Sequence, residues 1–512
     1  MAYILTGLSP QHQSHQSHPS HHSFIAVPES RRARVSLIIQ VRVLGIRRPL
    51  SLYFVFPTMA SQQTQQTQQT QQTQQTHIAD LKANGASPVH SEMDIERSVG
   101  EKLGDETAET PSAAMMTFPD GGARAWAVTA GAAGLLFCTF GYINAFGVYQ
   151  EYYQSHQLKH RSPSDISWIG SLQVFFLFSG SAIGGPLFDR FGAKVVWPAA
   201  TLYVFSVMMT SICSEYWEFM LAQGVLGGIA TGMTMAPGTT AVSQYFDKKR
   251  GAAMGLCVAG SSVGGVVFPI ALSKMLYNPT LGFGWSVRII AFIMLAILLP
   301  SSAAIRARLP PRKKAFFIPS AFKESRFVTL ILSAFLMILG VFIPVFYLPS
   351  YAVEHGMSAE LSSDLVSILN GASFFGRVIP GVMADKVGRL NMFSVVGICT
   401  GILIFCWQRI TTNAGIIVFA VLYGFFSGAI VSLVTTCLTS VPRDPRNIGT
   451  YMGMGMATVA FSALIGPPIN GALVDRYHSF DQVSIFSGVV VVAGGILVLP
   501  IKYANGGLWK KI

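Results

Sequence analysis

The sequence predicts an all-α membrane protein whose twelve transmembrane helices form two six-helix halves. Three observations carry this. The 512 residues are 51% hydrophobic and only 12% charged, about half the roughly 25% of charged residues that a water-soluble domain uses to cover itself. From Trp126 onward apolar stretches recur, each about 20 residues long and so able to cross roughly 30 Å of hydrocarbon. One connection, residues 306–325, is the longest break between stretches and divides them six and six.

In chain order, residues 1–120 read as an N-terminal tail, disordered and cytosolic, of which 79–119 are polar and acidic without a sustained apolar period. Five histidines precede residue 23, in a tract too loose to make a good metal site. Residues 31–57 are basic and apolar. They fit either a transit segment or an extension ahead of a natural start at Met59, and the Gln/Thr repeat that follows Met59 favours the extension, covering residues 1–58. The spans are expected near 126–150, 164–187, 193–213, 217–243, 251–276 and 284–305 in the first half (121–305). In the second half (326–503) they are expected near 326–350, 361–384, 391–410, 414–440, 447–472 and 482–503, ahead of a short tail, 504–512. Prolines such as Pro269, Pro344, Pro467 and Pro468 fall inside these runs. A membrane bundle tolerates them because neighbouring helices satisfy the freed carbonyls.

Lysine and arginine set the orientation. Nineteen basic residues fall on the connections and C-terminal tail of one side, seven of them in the run 306–326, against six on the other side. The positive-inside rule then places both termini and the 306–325 loop in the cytosol. The plasma membrane is the expected location, with the vacuole or another internal membrane as the alternative. The net charge of +12 belongs to this topology and does not imply a nucleic-acid partner; lipid is the expected surroundings. The six cysteines lie in apolar runs without a CxxC pair, as buried thiols do.

The two halves share a short signal. Gly185, Asp189 and Gly192 recur at identical spacing as Gly381, Asp385 and Gly388, with basic residues around them, Arg190 and Lys194 in the first set and Lys386 and Arg389 in the second. Each set sits between spans two and three of its half, so an internal duplication is the economical explanation. Asp189, Arg190, Asp385 and Arg389 are therefore candidate gating residues, able to form a contact in one conformation and release it in another. Arg377 is the one ionisable residue placed well inside an apolar run. Charge at that depth is costly and marks a functional site, and a guanidinium fork suits a carboxylate. The alternative is an arginine bonded to backbone carbonyls for structure. Gly224, Gly228 and Gly232 give the fourth span one smooth packing face.

The paired loops resemble the signature of the major facilitator superfamily. Two further segments, Asp120-Gly121-Gly122 with Trp126, and Tyr245-Phe246 with Lys248-Lys249-Arg250, are similar to the defining motifs of the monocarboxylate transporter family. With Gly466 to Gly471, the set is most similar to the fungal branch of that family. The resemblance covers residues 119–503 and implies the major facilitator fold and movement of small carboxylates by alternating access, with protons as a coupled partner. It also implies a substrate site around Arg377 in span eight. The family's span-eight aspartate aligns with Ser373 and its span-one lysine with Asn144, so two of its three functional charges are replaced here; Asn370 lies one turn beyond Ser373. With no carboxylate at mid-membrane depth, the substrate acid itself can carry the proton. The cargo implied is a small organic acid or an acidic metabolite. Export of a fungal secondary metabolite is the second reading, and a non-transporting nutrient sensor is a third, from another class. The sequence contains no nucleotide-binding loop, metal-ligand cluster or nucleophile elbow, so no enzyme activity, catalytic residue, metal or cofactor is expected. The span-five run GSSVGGVVFP lacks the Gly-Pro-x-x-Gly-Gly order of drug/proton antiporters.

Overall fold

The computed structural model describes residues 36–41, 50–55, 118–312, 316–477 and 479–500. Within the segment expected to be a tail, β1 (Ser36–Val41) and β2 (Leu50–Val55) pair antiparallel, Ser36 opposite Val55 and Val41 opposite Leu50. These strands coincide with the basic-apolar stretch 31–57. They belong to a separate unit ending at Thr110. The remainder of the tail up to residue 117, and the residues after 500, lie outside the described residues.

Twelve helical spans make up the other unit. In order they are α1 (Ala123–Ser155), α2 (Pro163–Phe191), α3 (Val196–Thr210), α4 (Tyr216–Tyr245), α5 (Arg250–Leu276) and α6 (Gly282–Ala304). The second half has α7 (Ser325–Glu354), α8 (Ala359–Val387), α9 (Arg389–Trp407), α10 (Asn413–Leu438), α11 (Ile448–Tyr477) and α12 (Asp481–Leu497). The spans lie close to their expected positions; the expected end of the last, 503, lies outside the described residues.

Local chemistry sets several ends. Ser162 accepts from the Asp165 N–H, and the Asp165 carboxylate accepts in return from the Ser162 N–H, a reciprocal cap that starts α2. Gly192 (φ 65°) ends α2 and Gly388 (φ 109°) ends α8. The repeated glycine thus supplies the left-handed turn that a β-carbon would disfavour. α1 and α7, first in their halves, are both discontinuous. α1 passes through a π-helical stretch, Phe137–Gly141, and breaks at Asn144 and Ala145. α7 breaks at Phe342, and Pro344 opens its second piece. Broken helices at matching places are how duplicated transporters place free backbone groups near a substrate.

The bundle is apolar on the outside and polar within. Phe205, Phe292, Val395, Val418, Phe461 and Val489 face outward, while Thr129, Gln173, Ser261, Ser373, Arg377 and Thr436 are buried. Lipid tails are a good solvent for the first set; in the second, Thr129, Ser261, Ser373, Arg377 and Thr436 bond across or along helices. Five exposed tryptophans mark the two faces. Trp126 and Trp197 begin α1 and α3 at one end of the bundle; Trp168, Trp217 and Trp285 begin α2, α4 and α6 at the other. Indoles favour that polar–apolar boundary. The end that carries Trp126, the central loop and the α2–α3 and α8–α9 turns is called the basic end below.

Candidate functional site

Two joints close the basic end, and each is built from a helix C-terminus in one half and a helix N-terminus in the other. At the C-terminus of α2, Asp189 is 6% exposed. It accepts from the N–H groups of Gly449 (3.0 Å) and Thr450 (2.6 Å) and from the Thr450 hydroxyl (2.8 Å). At the C-terminus of α8, Asp385 accepts from the N–H groups of Gly251 (2.8 Å) and Ala252 (2.9 Å). Each carboxylate therefore satisfies the first free amides of a helix across the interface, α11 or α5, where the helix dipole also favours negative charge. Glycine makes the approach possible. A β-carbon on Gly251 would lie 2.3 Å from the Gly381 carbonyl oxygen, and one on Gly185 would lie 2.0 Å from the Gly449 carbonyl oxygen.

The gating candidates separate into two groups. Asp189, Asp385 and Arg389 are all in the joints. Arg389 contacts Asp385 (3.8 Å) on its own side, donates to the Ser440 hydroxyl (3.0 Å), and reaches the other half at Asp247, through the backbone oxygen and the carboxylate (3.4 Å). Arg190 is not: it is exposed and lies over the Phe191 ring at 5.6 Å. The turn that buries Asp189 points the next residue outward.

The motif residues assemble beside the second joint. Asp120 accepts from the N–H groups of Asp247 (2.7 Å) and Lys249 (3.2 Å), and its own N–H donates to the Tyr245 carbonyl (3.0 Å). Trp126 packs on Phe246, ring centroids 5.1 Å apart. The flexible pair Gly121-Gly122, with φ 89° at Gly122, turns the chain into α1. Arg250 is 4% exposed and donates to the carbonyls of Phe246 (2.8 Å) and, in the other half, Thr439 (2.9 Å). Lys248 and Lys249 are partly or fully exposed. The two sequence motifs are thus one structural unit: the first fixes the entry of the helix that the second begins.

The expected substrate residues lie together on one seam. Arg377, Ser373 and Asn370 succeed one another along the face of α8 that meets α5. Arg377 is 4% exposed and donates through Nη1 to the Val258 carbonyl (2.9 Å) and the Ser261 hydroxyl; its guanidinium lies over Phe140 of α1 at 5.8 Å. Its Nε is buried and unpartnered among the described residues. The Ser262 hydroxyl donates to Ser373 (3.4 Å). A β-carbon on Gly265 of α5 would lie 2.9 Å from Asn144 Nδ2 and 3.0 Å from Asn370 Oδ1, so the two amides meet over that glycine. Each amide nitrogen also donates to its own helix, Asn144 to Phe140 (3.1 Å) and Asn370 to Val366 (3.0 Å). Arg377 stands eight residues from Asp385, about 12 Å up the helix. It forms the floor between the closed joint and the amides above.

Sequence reasoning missed the partners in these contacts: Val258 and Ser261, Gly449 and Thr450, and Arg312 of the central loop, whose N–H donates to the Asp189 carbonyl (2.8 Å). Aligning the two halves on Gly251 and Gly449 would have exposed the α5 and α11 starts as equivalents. The Arg312 contact depends on the path of the loop and has no local signal. Gly228 and Gly232 pack as expected, on Gln173 and Leu177 of α2.

Two discontinuous six-helix halves, joined at one end, meet over a buried polar seam, an arrangement found in membrane transporters built from duplicated halves. The family model described as Major Facilitator Superfamily matches residues 129–467 and 381–507, and the chain belongs to that family. It is 54% identical over 407 residues to the aspyridones efflux protein apdF of Emericella nidulans, covering 79% of this chain and 83% of that protein. It is 39% identical to the MFS-type transporter pynF of Aspergillus niger (76% and 91% covered) and 39% identical to an agnestins efflux protein of Paecilomyces divaricatus (76% and 90%). Its fold is similar to that of the human organic anion transporter TETRAN (TM-score 0.62, 15% identity, 74% of this chain and 100% of that one). It is also similar to the transporter FucP in the outward conformation (TM-score 0.56, 14% identity, 73% and 97%).

Proposed function

We propose that this transporter exports an acidic secondary metabolite from a fungal cell across the plasma membrane, with both termini in the cytosol. The single observation that carries the reading is the extent of likeness to a protein named for efflux of aspyridones, 54% over 83% of its length. The basic-residue asymmetry supports the orientation, and it makes the closed basic end the cytosolic one. The acidic character of the cargo rests on Arg377, which pairs with no carboxylate among the described residues and keeps one buried donor unused. An anionic or carbonyl-bearing group entering the seam would complete it. The replaced family charges at Asn144 and Ser373 point away from lactate-sized acids and toward a larger cargo, positioned by amides and apolar walls.

The test is transport in proteoliposomes, with and without a pH gradient, of aspyridones and of a panel of small monocarboxylates. Gradient-accelerated movement of the metabolite, with small acids moved poorly, is the expected result. Rapid movement of small acids with the metabolite excluded would return the chain to monocarboxylate exchange.

A further inference from the structure

The two joints are not built from the same parts. In the second half the arginine four residues after the joint aspartate, Arg389, ties that joint to the opposite half at Asp247 and to Ser440. In the first half the corresponding position, four residues after Asp189, is Ala193. The place an arginine would occupy is hollow: a cavity of about 340 Å³ there is lined by Asp189, Ala193, Lys194, Gln244 and Arg446 among others. The missing cation is supplied from elsewhere. Arg312, in the central loop, is 7% exposed. It donates through Nη1 to the Thr450 hydroxyl (2.8 Å) and through its N–H to the Asp189 carbonyl (2.8 Å). The Thr450 hydroxyl in turn donates to the Asp189 carboxylate (2.8 Å). Thr450 itself stands where the other joint has Ala252, which offers no hydroxyl. Of the two departures from the repeat, threonine for alanine falls where the loop arginine docks, and alanine for arginine falls beside the same aspartate, on the cavity wall. Upstream, the loop is held by Gln244 at the end of α4, whose amide oxygen accepts from the N–H groups of Arg308 (2.9 Å) and Leu309 (3.3 Å).

We propose that Arg312 is a positioning residue of the transport cycle, a latch by which the central loop stands in for the arginine that the first half lacks and holds the α2–α11 joint shut. The loop connecting the halves is then part of the gate. It must leave Thr450 each time the basic end opens, so the two joints open by different motions: one by parting of two helix ends, the other with the additional withdrawal of a strap.

The test uses the full chain in nanodiscs, with the native cysteines replaced and one cysteine introduced at Ser181, which is fully buried in the α2–α11 seam. Its alkylation rate reports opening of the joint and needs no cargo, so it succeeds or fails independently of the efflux reading. Arg312→Gln should raise that rate about tenfold, the scale set by losing a charge-assisted hydrogen bond, and should slow turnover in the transport assay. Adding Ala193→Arg to Arg312→Gln, which restores the repeat's own arginine and fills the hollow, should bring the labelling rate back to within about twofold of the parent. Arg312→Lys, which keeps charge at the site, serves if the Gln variant folds poorly, and should give an intermediate rate. A labelling rate unchanged by Arg312→Gln, or one that Ala193→Arg leaves high, would overturn the latch.

Discussion

At the scale of single residues, two side chains carry most of the weight. Arg377 was visible in the sequence as a charge inside an apolar run. Its partners were not, because Val258 and Ser261 lie over a hundred positions away and look like ordinary lining of α5. The structure shows the brace, in which one nitrogen holds α8 on α5 across the halves; the ligand role is the proposal, and it rests on the buried Nε that has no partner among the described residues. Substitution should separate them. Arg377→Lys keeps the charge but loses the fork, and Arg377→Gln loses both. Binding of the metabolite by the purified protein should weaken about tenfold or more for Gln, since charge-assisted hydrogen bonds are worth roughly 1.5–3 kcal/mol, and less for Lys. Wild-type affinity in a well-folded Gln variant would leave Arg377 a brace alone. Asp120 makes a contrasting case. It holds two amides at the start of α5 and stands far along the chain from the seam. Asp120→Ala should cost about 1–2 kcal/mol of stability, the usual worth of a helix-start cap, read as a lowered melting temperature with affinity unchanged.

Among elements, the spans were legible because hydrocarbon thickness dictates their length, and composition alone reports it. The duplicated turn was legible too, since glycine, aspartate and glycine each answer a separate need: close approach, amide capping and a left-handed residue. Arg190 was misplaced by the same reasoning, because spacing shows which residues recur and not which way each side chain turns. The breaks in α1 and α7 were hidden, as their residues, Asn144-Ala145 and Phe342, form continuous helix elsewhere. The joints lead to two predictions. Asp189→Asn and Asp385→Asn keep shape while weakening the acceptor, so turnover should fall with surface expression near wild type; unchanged turnover in both would reduce these turns to solvated loops. Gly251→Leu places a side chain where only 2.3 Å separates a β-carbon from the Gly381 oxygen. It should hold the basic end apart, read as rapid alkylation of the cysteine at Ser181 together with loss of transport.

For the whole molecule, orientation is a reading of the sequence, carried by its basic residues. The excess of basic residues on one side predicts that tags at both termini and in the 306–325 loop are reached by protease only after the plasma membrane is permeabilised. Digestion of any of them in intact cells would invert the assignment. The exposed tryptophans have a consequence for how the molecule moves. Trp126 and Trp197 are exposed at one end of the bundle and Trp168, Trp217 and Trp285 at the other, the positions at which indoles favour the lipid headgroups. An indole resists being pulled out of that boundary in either direction, so the bundle is moored at two depths and cannot ride up or down as it works. Rocking of the halves must then appear as a change in cross-section, wider at one leaflet while narrower at the other. Turnover should therefore follow the lateral pressure of the bilayer, and cone-shaped lipids confined to a single leaflet should bias which end of the transporter stands open.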